Sequence, residues 1–179
     1  MDPVFYKASP IFIGWKSFDY SHAPKIPDLP EIDTVLISHD HYDHLDYQSI
    51  VELDKKVNNY IVPLWVKSHL LKWGVNNDKI KELDWYENNI SDDINFIFTP
   101  AQHFSGRGIL NGSSTLWWSW VIKSKQTSIY FSGDSWYFDW FKTIWVMWRR
   151  ELVQCFFAWS AAVNALKRLR FQDRGGLCQ

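Results

Sequence analysis

The pattern of apolar and polar positions predicts that strands and helices alternate through the first half of the chain. A β-branched apolar run over 33–38 is typical of a buried strand. Residues 59–65 predict another strand, with Pro63 at its end or at a sheet edge. Between them, 46–57 carries apolar residues at helical spacing behind Asp46, a candidate N-cap.

The same periodicities continue through the second half. A helix is predicted over 66–74, with Gly74 as its C-cap. Strands are predicted over 79–85 and 94–100. Two more, over 115–124 and 127–135, are predicted to form a hairpin. Helix-like apolar spacing returns in two late segments, 137–148 and 151–170. We expect an α/β or α+β fold class in which strands dominate the middle.

Composition narrows the function classes without choosing one. The 179 residues suit a single domain, and a net charge of −1 gives no argument for a nucleic-acid partner. Two cysteines, Cys155 and Cys178, make neither a disulfide framework nor a cysteine metal site. No signal-like start and no apolar run of about 20 residues is present. We therefore expect a cytoplasmic protein, with peripheral membrane contact left open.

Three of the six histidines lie within one nine-residue stretch, Ser38–Asp46, with the sequence SHDHYDHLD. His39 and His41 point the same way in extended chain and can meet at one metal ion. Asp43 and His44 follow after the chain turns and can serve a second ion. Imidazole and carboxylate groups are natural zinc ligands. The alternative is a polar loop with chance histidines, which this pattern after a buried strand disfavours.

Two later side chains extend the candidate site. His103 follows a predicted strand in TPAQHFSGRG, and such a histidine is more often structural. Beside the first motif, however, it would supply a third imidazole for one metal ion. Asp134 follows a strand in YFSGDSW and could be a turn residue or an N-cap. With two metals nearby, a bridging carboxylate is the better interpretation.

These segments, in this order, resemble the metallo-β-lactamase superfamily. Within it they are most similar to the subgroup of N-acyl-phosphatidylethanolamine-hydrolysing phospholipase D. DPVFYKASP, ELDWYE and LWWSWVI also resemble that subgroup, and PAQHFSGRG is more specific to it than the histidine motif is. The resemblance covers about residues 2–147. It implies an αββα sandwich with metals at the mouth between two sheets.

The resemblance also implies a cofactor and an activity. It implies two zinc ions held by the six side chains above: His39, His41 and His103 on the first ion, Asp43 and His44 on the second, and Asp134 as the bridge. Asp43 is also the predicted catalytic residue. Two such metals can activate water and stabilise the oxygens of a phosphodiester displacement. The expected substrate is a phospholipid or another small molecule.

The chain departs from the family pattern at both ends. Relatives carry a last histidine on the second zinc, whereas no histidine follows His103 here. His22 and His69 are the remaining histidines, and neither matches the motif. Relatives also have a β-hairpin before the segment that resembles DPVF. We therefore expect an incomplete sandwich, truncated at both ends, over 1–148 and a divergent tail over 149–179.

The tail and the missing ligand leave alternatives open. Basic residues change there, since Arg107 is the only arginine before residue 149 and Lys167 the only lysine after it. A frameshift-like origin is one hypothesis, and an amphipathic helix whose basic end touches anionic lipid is another. The alternative functions are a non-catalytic fragment that holds one metal or none, and a related lactonase or other metallo-hydrolase. An interaction module has only the 12 tryptophans and the basic tail in its favour.

Overall fold

The computed structural model describes residues 1–6, 8, 24–108, 112–136, 138, 139, 143, 144 and 152–156. The chain divides into two compact units. The first unit comprises Met1–Leu83 with Phe104–Leu116, and the second comprises Asp84–His103 with Trp117–Gln179. Among the described residues the strands are β1 Ile32–Leu36, β2 Val57–Pro63, β3 Ile80–Leu83, β4 Asn88–Ser91, β5 Ile94–Pro100, β6 Trp118–Lys123, β7 Ser128–Phe131 and β8 Leu152–Phe156. The helices are α1 Tyr47–Leu53 and α2 Lys67–Lys72, with 3₁₀ turns at Ile26–Asp28 and Asn77–Lys79.

The first unit contains a parallel three-stranded sheet in the order β1-β2-β3. Parallel neighbours need a crossover connection, and α1 and α2 lie on the two crossovers. The Asp46 carboxylate begins α1 by accepting the Ser49 N–H at 3.0 Å. Gly74, at φ +93°, follows the end of α2 in a conformation that suits glycine. The core between these elements contains fully buried apolar side chains, among them Ile37, Leu45, Ile50, Tyr60, Val62, Val66 and Leu70.

The second unit contains a five-stranded sheet in the order β4-β5-β6-β7-β8. Its neighbours are antiparallel except β7 and β8, which run parallel. The ring of Phe98 packs against those of Trp118 and Trp120, with centroids 4.4 and 4.3 Å away, and all three are buried. Aromatic pairs at such distances stabilise a core beyond the area they bury.

Most predicted elements are present, and the mixed α/β class is confirmed. The predicted helix over 151–170 is wrong at its start, because Leu152–Phe156 forms β8 beside β7. A short apolar run fits both periods, and the open edge of β7 provides backbone partners that the sequence pattern does not reveal. Strand β4 was not predicted, since NNIS has little β-propensity.

Other late expectations fall outside the described part of the chain. Most of the helix predicted over 137–148 and everything after residue 156 lie there. The proposed boundary at residue 148 therefore stays a prediction. No helix among the described residues has the length and apolar character needed to cross a membrane.

Candidate metal centre

The histidine loop, Ser38–Asp46, connects β1 to α1 in the first unit. Its chain turns back at His41, whose carbonyl accepts the N–H groups of His44 and Leu45 at 3.0 and 2.8 Å. The turn brings three imidazoles together. Nε2 of the buried His39 lies 2.9 Å from Nδ1 of His41, and the rings of His39 and His44 have centroids 4.2 Å apart. The predicted clustering of these histidines is therefore present within this unit.

Asp2 supplies a carboxylate to this loop from the start of the chain. Its N–H donates to the carbonyl of Leu36 at 2.9 Å, which anchors it at the end of β1. Its Oδ1 accepts the N–H of Ser38, and its Oδ2 accepts the Ser38 hydroxyl, both at 2.6 Å. Oδ2 also lies 2.8 Å from Nδ1 of His44. Both side chains of this Asp2–His44 pair are largely buried, at 7% and 13% exposure.

For neutral rings, these contacts place a proton on Nδ1 of two imidazoles. An ionised carboxylate only accepts, so Nδ1 of His44 carries the proton that it shares with Asp2. The Ser38 hydroxyl gives its own proton to Asp2 and therefore accepts from Nδ1 of His39, 2.9 Å away. Nε2 of each of these rings then carries a lone pair, and that of His39 accepts from Nδ1 of His41, 2.9 Å away. A carboxylate behind a histidine, as Asp2 lies behind His44, is typical of metal-ligating imidazoles.

Asp43 lies on the other side of His44. Its Oδ2 is 3.9 Å from Nε2 of His44, whereas Asp2 lies at Nδ1. The Asp43 side chain is 54% exposed. The two side chains predicted to hold a second metal are therefore neighbours in the first unit.

The second unit brings together the other two candidates. His103 follows β5 and Asp134 follows β7, and Nε2 of the first lies 4.0 Å from Oδ2 of the second. Gly133, at φ +53°, makes the turn before Asp134 in a conformation that favours glycine. The His103 side chain is 8% exposed and that of Asp134 is 25% exposed.

A backbone bridge holds these two loops side by side. The Trp136 N–H donates to the carbonyl of Gln102 at 2.8 Å, and the Gln102 N–H donates to Oγ of Ser135 at 2.9 Å. Gln102 directly precedes His103, which follows β5, and Ser135 directly follows Asp134, which follows β7. The pairing of the two candidates therefore rests on main-chain hydrogen bonds as well as on side chains.

Asp40, between two of the loop histidines, has a different role. Its buried carboxylate accepts the Gly106 N–H at 2.7 Å through Oδ1, and its Oδ2 lies 3.4 Å from Nε2 of His69. Burial would raise the pKa of Asp40, but hydrogen bonds from His69, Gly106 and Thr115 hold that pKa below its ordinary value. His69 is thus engaged by Asp40, and His22 lies outside the described residues.

Sequence patterns missed the residues that contact the predicted ligands from behind. Asp2 and Asp40 contact partners 36 and 66 positions away in the sequence, for which no periodicity exists. The one available signal for Asp2 was its place in the DPVF segment, which carried a resemblance but no role. Ser38 and Asp40 lie inside the histidine motif and drew attention only as its spacers.

The chain is similar to proteins of a known family. The family model described as "Beta-lactamase superfamily domain" matches residues 2–159. The Mycobacterium tuberculosis protein Rv0906 is 44% identical over 119 residues, which make up 65% of this chain and 32% of that protein. N-acyl-phosphatidylethanolamine-hydrolyzing phospholipase D 1 of Caenorhabditis elegans is 29% identical over 160 residues, 78% of this chain and 44% of its own length. The chain spans less than half the length of these relatives.

Solved structures agree on the fold. CmlA, a diiron β-hydroxylase from Streptomyces venezuelae, matches with a TM-score of 0.61 at 19% identity. The match covers 86% of this chain and 29% of CmlA. At this identity the likeness establishes the architecture and leaves the chemistry to be argued from the side chains.

Proposed function

Because this chain belongs to the metallo-β-lactamase superfamily, we propose that it is a metal-dependent hydrolase of phosphodiesters that acts on an N-acylated phospholipid. The observation that carries the hydrolase proposal is the histidine loop, in which the imidazoles of His39, His41 and His44 lie together. Behind them, Asp2 contacts Nδ1 of His44 and the Ser38 hydroxyl contacts Nδ1 of His39. The substrate class rests on similarity to the nematode phospholipase D, which covers 78% of this chain.

The donor set fits divalent metal ions. Three imidazoles and a carboxylate in the first unit, with an imidazole and a carboxylate in the second, suit zinc and also iron. We propose zinc as the ion, with the six side chains predicted from the sequence as its ligands: His39, His41, Asp43, His44, His103 and Asp134. CmlA is a diiron protein, so iron is the alternative to test. A bound metal at such a site supplies Lewis-acid activation of water and of a phosphoryl group.

Residues beside the predicted ligands orient the imidazoles and supply an apolar contact. Asp2 holds a proton on Nδ1 of His44 and Ser38 holds one on Nδ1 of His39, so that Nε2 of each ring lies on the side away from that contact. Phe104 is half-exposed and packs edge-on against His41, with ring centroids 4.7 Å apart. An apolar side chain beside a ligand favours a substrate with an acyl chain. In the proposed reaction, water adds to phosphorus, the P–O bond to the alcohol breaks, and the alcohol leaves with a proton.

Metal content and turnover test this proposal together. The purified protein is expected to hold two zinc ions and to release N-acylethanolamine from vesicles that contain N-acyl-phosphatidylethanolamine. His41→Ala should lose metal and turnover, whereas Asp28→Asn, an exposed change in the first unit, should lose neither. Unchanged zinc content in His41→Ala would contradict the proposed metal site. Turnover of a soluble phosphodiester alone would support the hydrolase activity and contradict the phospholipid substrate.

A second candidate function is a binding protein that holds one metal without turnover. This candidate is the alternative predicted from the sequence, and it is consistent with the lack of a histidine among residues 104–179 that could join Asp43 and His44 on a second ion. One zinc per chain, together with inactivity on both substrates, would support this candidate over the enzyme.

A further inference from the structure

We propose that Arg107 is a positioning residue that holds the histidine loop in the shape that presents its metal ligands. The inference rests on the proposed metal-dependent function. Arg107 is not one of the predicted ligands, and it lies 62 to 67 residues along the chain from the loop atoms that it contacts. Loop and arginine both belong to the first unit.

The guanidinium joins the two ends of the metal-binding part of the loop. One nitrogen, Nη1, donates to the carbonyl of Asp40 at 2.7 Å and to that of Leu45 at 2.6 Å. The segment between these carbonyls contains His41, Asp43 and His44, three of the predicted ligands. Both hydrogens of Nη1 are used, so a single planar group fixes the separation of the segment's ends.

Two aromatic rings hold the guanidinium in that plane. Its central carbon lies 4.1 Å from the centroid of Tyr42 and 5.2 Å from that of Trp73. Arginine stacks on aromatic faces at such distances. The Tyr42 hydroxyl in turn donates to the carbonyl of Arg107 at 2.7 Å. Tyr42 belongs to the loop, so its ring and its hydroxyl both link the loop to Arg107.

A third link is made by the neighbouring residue. The Gly106 N–H donates to Oδ1 of Asp40 at 2.7 Å. Backbone and side chain of the 106–107 pair therefore both bind the loop. An arginine near a phosphodiester site could instead bind the substrate phosphate. The use of Nη1 on two carbonyls and the stacking on Tyr42 favour the positioning role.

The geometry predicts different effects for two substitutions. Arg107→Met removes the charge and both donors, so the loop should open and exchange amide hydrogens faster. Arg107→Lys keeps a charge, but an ammonium cannot stack as a planar fork while it reaches both carbonyls. We expect the zinc dissociation constant to rise about 10–100-fold in Arg107→Met, as for loss of other groups that orient ligands, and less in Arg107→Lys.

Lys79→Met is the matched control. Lys79 also donates to a backbone carbonyl of the first unit, that of Asp54 at 2.8 Å, but at the end of α1 rather than in the loop. Three measurements are made on each variant of the 179-residue chain. They are amide exchange over 38–46, zinc affinity by chelator competition, and the d–d spectrum of the cobalt-loaded protein. Faster loop exchange, weaker zinc and an altered spectrum in Arg107→Met, with Lys79→Met unchanged in all three, support the proposal.

Failure of this inference is distinguishable from failure of the proposed function. If the wild-type protein binds no zinc, the metal-dependent function falls, and amide exchange over 38–46 still decides the role of Arg107. Faster exchange there in Arg107→Met than in Lys79→Met supports it. Equal exchange in the two variants, or an unchanged zinc affinity in Arg107→Met when the wild type binds zinc, overturns it.

Discussion

Replacing Asp2 with asparagine is the sharpest test of how the ligands are oriented. The change preserves size but replaces one carboxylate oxygen with an NH₂ group, which only donates. Oδ2 now receives the Ser38 hydroxyl and Nδ1 of His44, at 2.6 and 2.8 Å. An amide nitrogen placed there meets two donors. If the amide is flipped, its nitrogen instead faces the Ser38 N–H, whose nitrogen lies 2.6 Å from Oδ1 of Asp2 in the wild type.

The expected loss of zinc affinity follows from the change of tautomer that Asp2→Asn imposes on His44. With NH₂ opposite Nδ1, His44 is driven to the tautomer that carries its proton on Nε2, the atom predicted to bind metal. Hydrogen bonds to charged groups contribute about 1.5–3 kcal/mol each. Loss of a group that orients a ligand typically weakens metal binding about 10–100-fold. We expect Asp2→Asn to weaken zinc binding within that range, which corresponds to about 1.4–2.7 kcal/mol.

The assay is zinc competition against a chromophoric chelator, with Asp28→Asn as the control of equal charge change on an exposed side chain. Thermal unfolding without metal separates a ligand effect from loss of folding. A zinc affinity that stays equal in Asp2→Asn and Asp28→Asn would refute the orientation argument. A loss confined to Asp2→Asn, in a protein that still unfolds cooperatively, is the predicted result.

Three further predictions concern stability and titration. Ile50→Ala should lower the free energy of unfolding by about 2–5 kcal/mol in urea, because Ile50 is fully buried. Removing the exposed Lys125–Asp93 pair by Lys125→Ala should change it by less than about 1 kcal/mol. The hydrogen bond to Glu52 and burial raise the pKa of Tyr6 to about 12. The stabilisation this gives should be complete below about pH 10 and lost as pH rises through 12. Tyrosinate absorbance should show that midpoint falling in Glu52→Gln.

The sequence predicted the elements whose causes are local. Strand β1 and helix α1 follow from a β-branched run and from the Asp46 cap, and both are present. The hairpin of β6 and β7 follows from two apolar runs separated by a polar turn. Strand β8 is the counterexample, because its residues are paired by an edge elsewhere in the chain. Periodicity describes one segment at a time. It does not identify the neighbouring strand whose hydrogen bonds decide whether a short apolar run becomes a helix or a strand.

The same limit separates the predicted metal ligands from the residues that orient them. His39, His41 and His44 are visible in sequence because their spacing itself places them on one loop. Asp2 and Arg107 reach that loop across 36 or more positions, where only the folded chain makes them neighbours. Yet Asp2 determines which nitrogen of His44 carries the proton, and in our proposal Arg107 limits how far the ends of the loop can separate. A motif therefore identifies which atoms can bind a metal, whereas its affinity depends on contacts that the motif does not contain.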